Sequence, residues 1–234
     1  MRNPEICLQV LRVVHINSYD GSGGAARAAD RLHLALIQEG VHSDMAVNVR
    51  REPRPAAASG RRTYIKSLSR GPLGLAGSFI LRAIEYLAVK LLVKPVKVPF
   101  SLPFLGKNIH RKRLLKQADI IHLHWVSQGF LTPGSVRRLQ RLKVPIVWTM
   151  HDSAAFTGGC HVRYGCEHFH QKCGNCQFLK HSGPRDFSNY FWEKKAAAYG
   201  NVGITLIAPS NWMAGSVRSS SLLKDKPLEV IPNA

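Results

Sequence analysis

The chain has 234 residues, 45% of them hydrophobic and 20% charged, which excludes a disordered tail and leaves room for one large domain or two small ones. Thirty-three Lys and Arg face 14 Asp and Glu, a formal net charge of +19. A field of that sign favours anionic partners, whether nucleic acid, lipid head groups or phosphorylated small molecules, and is silent on the fold.

The N-terminus, MRNPEICLQVLRVVHIN, lacks the pattern of a secretory signal, and no apolar run is long enough to predict a membrane span. The expected location is cytoplasmic, with a peripheral position on the inner face of the cell membrane as a further expectation. In that compartment clustered cysteines point to metal or thiol chemistry rather than to disulfides.

Residues 10–17 (VLRVVHIN) predict a buried strand. A glycine turn, Gly21-Ser22-Gly23-Gly24, follows and opens a helix whose Ala25, Ala28, Ala29, Leu32 and Leu36 repeat with helical spacing up to Gly40. Residues 42–49 predict the second strand. Strand, glycine turn, helix and strand make the first unit of an open parallel α/β sheet. The segment 50–70 carries seven Lys or Arg against Glu52 alone and is expected to be a solvated loop, with phosphate anchoring as the functional alternative. Residues 75–93 predict an amphipathic helix. Packing of that helix on the sheet is the expectation, and a membrane-surface helix is the alternative, helped by Lys90, Lys94 and Lys97.

A short basic helix is predicted over 107–117, a strand over 119–125 (DIIHLHW), and a helix over 132–142 with Thr132 as N-cap and Pro133 in its first turn. A strand follows over 144–150, then a helix over 186–199, a strand over 203–208, a helix capped by Ser210 and a last strand over 228–231. The alternation predicts one doubly wound, Rossmann-like domain with a cysteine-rich insert at 157–180 and a basic excursion at 50–106.

Three constellations carry chemistry. Gly21, Gly23 and Ala26 fit a dinucleotide turn, where glycines let backbone N–H groups approach a phosphate, although a tight turn without a ligand would look the same. The second strand ends in Asn48-Val49-Arg50 rather than in an acid that would hold a ribose, which disfavours a nicotinamide enzyme. His151-Asp152 follows a strand tip, where His151 can donate to a hydroxyl or exchange a proton and Asp152 can orient it or grip a sugar hydroxyl. His15, His122 and His124 sit on neighbouring strands, and at least one of them is expected to be an ordinary core histidine. Finally, Cys160-x5-Cys166-x6-Cys173-x2-Cys176 suits structural zinc, with His161, His168 and His170 as substitute ligands. Reduced buried thiols, two disulfides and an iron–sulfur cluster are the alternatives. Trp125, Trp148, Trp192 and Trp212 are not interleaved with the arginines, so no nucleic acid is expected.

These residues resemble the N-terminal domain of retaining glycosyltransferases of family 4, which have the GT-B fold of two facing Rossmann-like domains. The carriers are GSGGAARAADRLHLAL, DIIHLHW, PIVWTMHDSAAFTGGCHVRYGCEHFHQKCGNC, LIAPSNWM and VIPNA. The likeness is closest to the branch with the TGGC…CGNC insert, associated with exopolysaccharide or capsule assembly. The resemblance implies that Gly23 and Gly24, with Ser22, lie beside the diphosphate of a nucleotide sugar. It places His151 and Asp152 near the transferring sugar and its acceptor, a saccharide or lipid-linked saccharide, and Ser210 and Asn211 near the interdomain cleft. It implies no catalytic metal, so zinc at Cys160, Cys166, Cys173 and Cys176 would be structural. Ser153-Ala154-Ala155 departs from the bulkier, Trp-containing stretch of relatives, and VIPNA stands where relatives continue into a donor-binding domain. The expectation is therefore a transferase half that is inactive without that second domain. The competing expectation is a non-catalytic zinc module that binds an anionic polymer or a membrane surface. Under the favoured reading, Gly23-Gly24 and His151 open onto one hollow at the same rim of the sheet.

Overall fold

A computed structural model describes residues 11–21, 23–50, 64–95 and 99–233. Cys7, Ser22, Lys97 and the basic stretch 51–63 lie outside the described residues. Strands β1 (Arg12–Tyr19), β2 (His42–Val49), β3 (Tyr64–Ser67), β4 (Ile120–Leu123), β5 (Ile146–Thr149), β6 (Ile204–Ala208) and β7 (Leu228–Val230) form one sheet in the order β3-β2-β1-β4-β5-β6-β7. Every pairing is parallel. The chain reverses its direction of travel across the sheet between β1 and β4, so every strand ends at one rim and the crevice opens beside those two strands. This is the expected α/β Rossmann-like fold.

The helices are α1 (Gly24–Gln38), α2 (Gly71–Leu92), α3 (Arg113–Lys116), α4 (Pro133–Leu139), α5 (Phe187–Tyr199) and α6 (Asn211–Arg218). Thr132 and Ser210 cap their helices as expected, and Asp186, expected as the first helical residue, is a third cap. Thr132 Oγ1 accepts from Ser135 N at 3.1 Å, Asp186 Oδ1 from Ser188 N at 2.9 Å, and Ser210 Oγ from Met213 N at 3.2 Å. The principal core joins Val14, Ile16, Ile121, Leu123, Trp148 and Leu206 from the sheet to Val136, Leu139, Ala198 and Val217 from the helices.

Two expectations fail. The segment 50–70 is not loop throughout, because Tyr64–Ser67 adds a parallel edge strand to β2. The helix predicted over 107–117 shrinks to the four residues of α3, flanked by loop.

Helix α2 also turns the opposite way from the expected packing. Its buried positions are Ser78 and Glu85, whereas Leu73, Phe79, Ile80, Tyr86, Leu87 and Leu91 are exposed. It is fastened from beneath by polar groups. Ser78 Oγ donates to Asn48 Oδ1 at 3.0 Å, and Lys107 Nζ donates to Ser69 and Ser78. Glu85 accepts from the N–H of Leu102 at 3.1 Å and from the N–H of Gly129. Gly129 has φ +69, and a Cβ there would stand 2.7 Å from the carbonyl carbon of Leu81, so the loop touches the helix backbone directly. Only the last turns are seated on apolar groups, with Ala88, Val89 and Leu92 against a second cluster of Val93, Phe100, Leu102, Cys160, Cys176, Phe178, Leu179 and Phe191.

The cysteine insert has little regular structure and is held by close approach. Ser101 N donates to Gly159 O at 2.9 Å, and Asn189 Nδ2 to Cys173 O at 2.8 Å. A Cβ on Gly158 would lie 2.2 Å from the carbonyl oxygen of Ser188 at the start of α5. Gly158→Ala should therefore destabilise the domain by about 1–3 kcal/mol through overpacking alone, a loss read as a lowered midpoint in thermal or urea unfolding.

Candidate functional site

Four histidines from three neighbouring strands line up toward the rim. His15 of β1 pairs in register with His122 of β4, His124 lies two residues further along on the same face, and His151 follows β5. His15 Nδ1 and His124 Nε2 are 3.0 Å apart, and His124 Nδ1 and His151 Nε2 are 3.1 Å apart. His122 Nε2 meets Thr149 Oγ1 at 2.8 Å and its ring stacks on His124 with centroids 4.2 Å apart. The far nitrogen of the series, His15 Nε2, is buried and finds no hydrogen-bond partner among the described residues.

That orphan atom sets the polarity of the series. A stranded buried N–H is the rarer outcome in proteins, so His15 is assigned with Nε2 bare and its proton on Nδ1. His15 Nδ1–H then donates to His124 Nε2, and His124 Nδ1–H donates to His151 Nε2. His151 is left with its proton on Nδ1. The rings are also uncharged. Burial, reinforced by neighbouring imidazoles, drives His15 and His124 well below the usual histidine range. Burial and then His151 bring His122 down to about 4. Burial lowers His151 to about 4, with the charge of Asp152 pulling back only part of the way. His151 is thus a neutral hydrogen-bond donor at the rim and is poorly suited to taking up a proton near neutral pH.

Asp152 does not orient His151. Its Oδ2 accepts from Trp125 Nε1 at 2.8 Å and meets His161 Nδ1 at 2.6 Å, while Oδ1 accepts from Ala154 N at 2.8 Å. Burial raises its carboxyl, but His161, Ala154 and Trp125 together hold it below the usual range. His161 Nε2 in turn meets Ser101 Oγ at 2.8 Å. Ser101, His161 and Asp152 have the connectivity of a nucleophile, base and carboxylate, yet the Ser101 hydroxyl also binds the Glu85 carboxylate. The row serves to tie α2 to the β5 loop. Burial keeps Glu85 above the usual carboxylate range despite the N–H groups of Gly129 and Leu102.

Trp125 separates two hollows. One, of about 50 Å³, lies over His124, His151, Asp152 and Lys195. The other, of about 480 Å³, runs beneath α2 between Arg82, Glu85, Tyr86, Ser101, Gln128 and His161. Lys195 of α5, which no motif in the sequence singles out, is buried and donates to the carbonyls of Ala154 and Thr157. Burial lowers it to about 8 against the pull of Cys173, Cys160, Asp152 and Glu85.

Gly23 and Gly24 stand at the same rim, exposed, with open space where a Cβ would be, and neither lines the two hollows beside Trp125. Gly23 adopts φ +90, and α1 begins without a side-chain cap or an acid in its first turn. Ser210 and Asn211 are exposed at the end of β6 and start of α6. Arg50 lies 3.7 Å from Asp20, and Asp44 is paired with Arg12 at 2.8 Å at the opposite end of the strands.

The four cysteines are free thiols. Burial first, then the other thiols, raises Cys160 to about 11, and burial raises Cys173 to about 12 and Cys176 in the same direction. Gly158 N donates to Cys173 Sγ at 3.1 Å. Among the described residues, however, the ligand atoms that gather within 4.8 Å of one another are those of His15, His122 and His124, not the thiols. His124 could ligate an ion only by giving up one of its two bonds, to His15 or to His151. His161 and His168 are engaged elsewhere, the latter on Gly174 O at 2.7 Å.

A family model described as Glycosyltransferase Family 4 matches residues 22–234. No curated protein matches. Among solved structures, Arabidopsis thaliana UGT89C1 complexed with UDP-L-rhamnose is 11% identical, with a TM-score of 0.41 over 94% of this chain and 48% of its own. An NAD-dependent NDP-hexosamine 5,6-dehydratase, TunA, involved in tunicamycin biosynthesis, is 12% identical, with a TM-score of 0.34 over 84% of this chain and 54% of its own. The chain spans about half the length of these structures, and likeness at this level carries no argument about its chemistry.

The histidine series makes a stability prediction. Its folded-state pKa values are depressed, so its contribution is complete above about 6.5 and is lost as pH falls toward 4. Holding a proton on His122 inside the fold costs about 3 kcal/mol. The melting temperature should fall steeply between pH 6.5 and 4, and His122→Gln should flatten that slope. A slope unchanged by the substitution would contradict the assignment.

Proposed function

Because the chain belongs to glycosyltransferase family 4, we propose that it is the acceptor-side domain of a retaining sugar transferase working at a membrane surface in surface or exopolysaccharide synthesis. The observation that carries this reading is the neutral His151 donor at the rim, fixed through His124 by His15. In the proposed reaction the bond between the anomeric carbon and the donor diphosphate breaks, and its electron pair leaves with the diphosphate. An acceptor hydroxyl oxygen bonds to the same carbon on the face the diphosphate occupied, and its proton leaves with the departing diphosphate. His151 Nδ1–H holds a sugar hydroxyl through this exchange and does not take up the proton. The N–H groups at the uncapped start of α1, at Gly23 and Gly24, receive the diphosphate, and the glycines keep that approach free of side chains. Ser210 and Asn211, exposed at the same rim, face a second wall that grips the nucleotide.

We assign structural zinc to Cys160, Cys166, Cys173 and Cys176. Support comes from four free thiols in one short insert, and from the Gly158 N–H already aimed at Cys173 Sγ. Binding would draw the sulfurs closer together and hold Cys160, Cys173 and Cys176 as thiolates against the burial that raises them.

Transfer is tested with the purified protein and a donor-binding domain supplied in trans, scored by labelled sugar appearing on acceptor. His151→Ala should lower kcat about 100-fold or more, as loss of a transition-state donor does. His151→Asn, whose amide N–H can replace Nδ1–H, should retain most of the rate. Equal loss in both variants would reject the donor role, and polymer binding without any sugar turnover would reject the transferase reading. For zinc, elemental analysis should find one ion per chain, lost in Cys173→Ser. Metal-free protein with an unchanged melting temperature would refute the assignment.

A further inference from the structure

Helix α2 carries its apolar side outward. Leu73, Ile80, Ile84, Leu87 and Leu91 follow one another at helical spacing and form a single stripe, with exposures from 41% at Ile84 to 89% at Leu73. Packing does not explain the stripe, because the helix is secured from its other side through Ser78 and Glu85. Nor is it a span, since no helix among the described residues is long and apolar enough to cross a membrane. Contiguous exposed apolar surface of this kind marks a docking face.

Charge selects the occupant. Lys90 stands beside the stripe, one residue before Leu91, and Arg70 and Lys94 flank the two ends of the helix. The whole chain carries +19. Long cationic side chains beside an apolar stripe can lie along it while their charges reach outward. A second protein would need an acidic face with an apolar centre, and a second copy of this basic chain would bring like charge to like. An anionic bilayer offers apolar depth and negative head groups together.

We propose that α2 lies in the interface of an anionic lipid bilayer, through the stripe from Leu73 to Leu91, and that the 480 Å³ hollow beneath it opens beside the lipid surface. Phe79 and Tyr86, each 70% exposed, flank that opening, and Trp125, Gln128 and His161 close its inner end. An acceptor carried on a lipid chain would enter along this path, with its polar head toward Trp125 and the rim of His151. The bilayer contact stands on α2 alone, whereas the use of the hollow by an acceptor rests on the transferase reading.

Sedimentation of the full chain with vesicles of phosphatidylglycerol or of phosphatidylcholine tests the contact. Binding should be strong to the anionic vesicles, weak to the neutral ones, and reduced by salt. Ile80→Asp combined with Leu87→Asp should weaken it tenfold or more. Lys90→Gln should weaken it about fivefold. These side chains are exposed, so circular dichroism and melting should be unchanged and folding is not confounded. Indifference to lipid charge, equal binding by the aspartate variant, or an aspartate variant that merely dissolves a dimer without any vesicle binding would each overturn the proposal. Vesicle binding as expected without sugar transfer in any combination would leave the docking face standing and remove the transferase reading.

Discussion

The buried row running from Glu85 through Ser101, His161 and Asp152 to Trp125 is the constraint on which the working rim depends. It joins five pieces that the sheet alone does not join: α2, the extended segment near Ser101, the cysteine insert, the loop after β4 and the loop after β5. Buried polar groups are tolerated only when paired, and a row in which each member satisfies the next permits one arrangement. Fixing Trp125 and Asp152 also fixes where the two hollows lie. Lys195 completes the arrangement from below, with its ammonium on the carbonyls of Ala154 and Thr157. The shape of the site is thus specified by hydrogen bonds and charge, on a scaffold specified by apolar burial.

The second series, His15 to His124 to His151, works differently. It spans adjacent strands of the sheet and transmits a proton position rather than a location. Three neutral imidazoles in a row have only two internally consistent tautomeric patterns, and the unpartnered end at His15 distinguishes them. The identity of the rim atom at His151 is therefore decided about two strands away. The same burial that keeps the series neutral removes His151 from the list of bases available at neutral pH.

Much of the scaffold was legible because its signals are local. The predicted strand over 42–49 coincides with β2, and Thr132 and Ser210 cap where their side-chain chemistry places them. The strand Tyr64–Ser67 was hidden, since four residues beside an arginine-rich stretch show too little alternation to be read as an edge. The periodicity of α2 revealed that an apolar stripe exists but not which way it faces, because a buried Glu85 and an exposed Leu73 give the same spacing whichever side meets the protein. The site was half legible. Adjacency in sequence suggested His151 with Asp152, whereas the fold gives Asp152 to His161, nine residues on, and gives His151 to His124 on another strand. Such pairings are settled by register and loop path, and no window along the chain contains them. Lys195 was invisible for the same reason, since its two carbonyl partners lie about forty residues away.

The attachment of α2 has a thermodynamic corollary. Its first four turns hang from a carboxylate and a few hydroxyls, and only its last turns share in apolar burial. Peeling the helix back from its N-terminal end would hydrate little new hydrocarbon, so it would absorb little extra heat capacity and escape notice in a calorimetric scan dominated by the sheet. Amide exchange would register it as a sub-global opening, graded along the helix from fast near Leu73 to slow near Leu92.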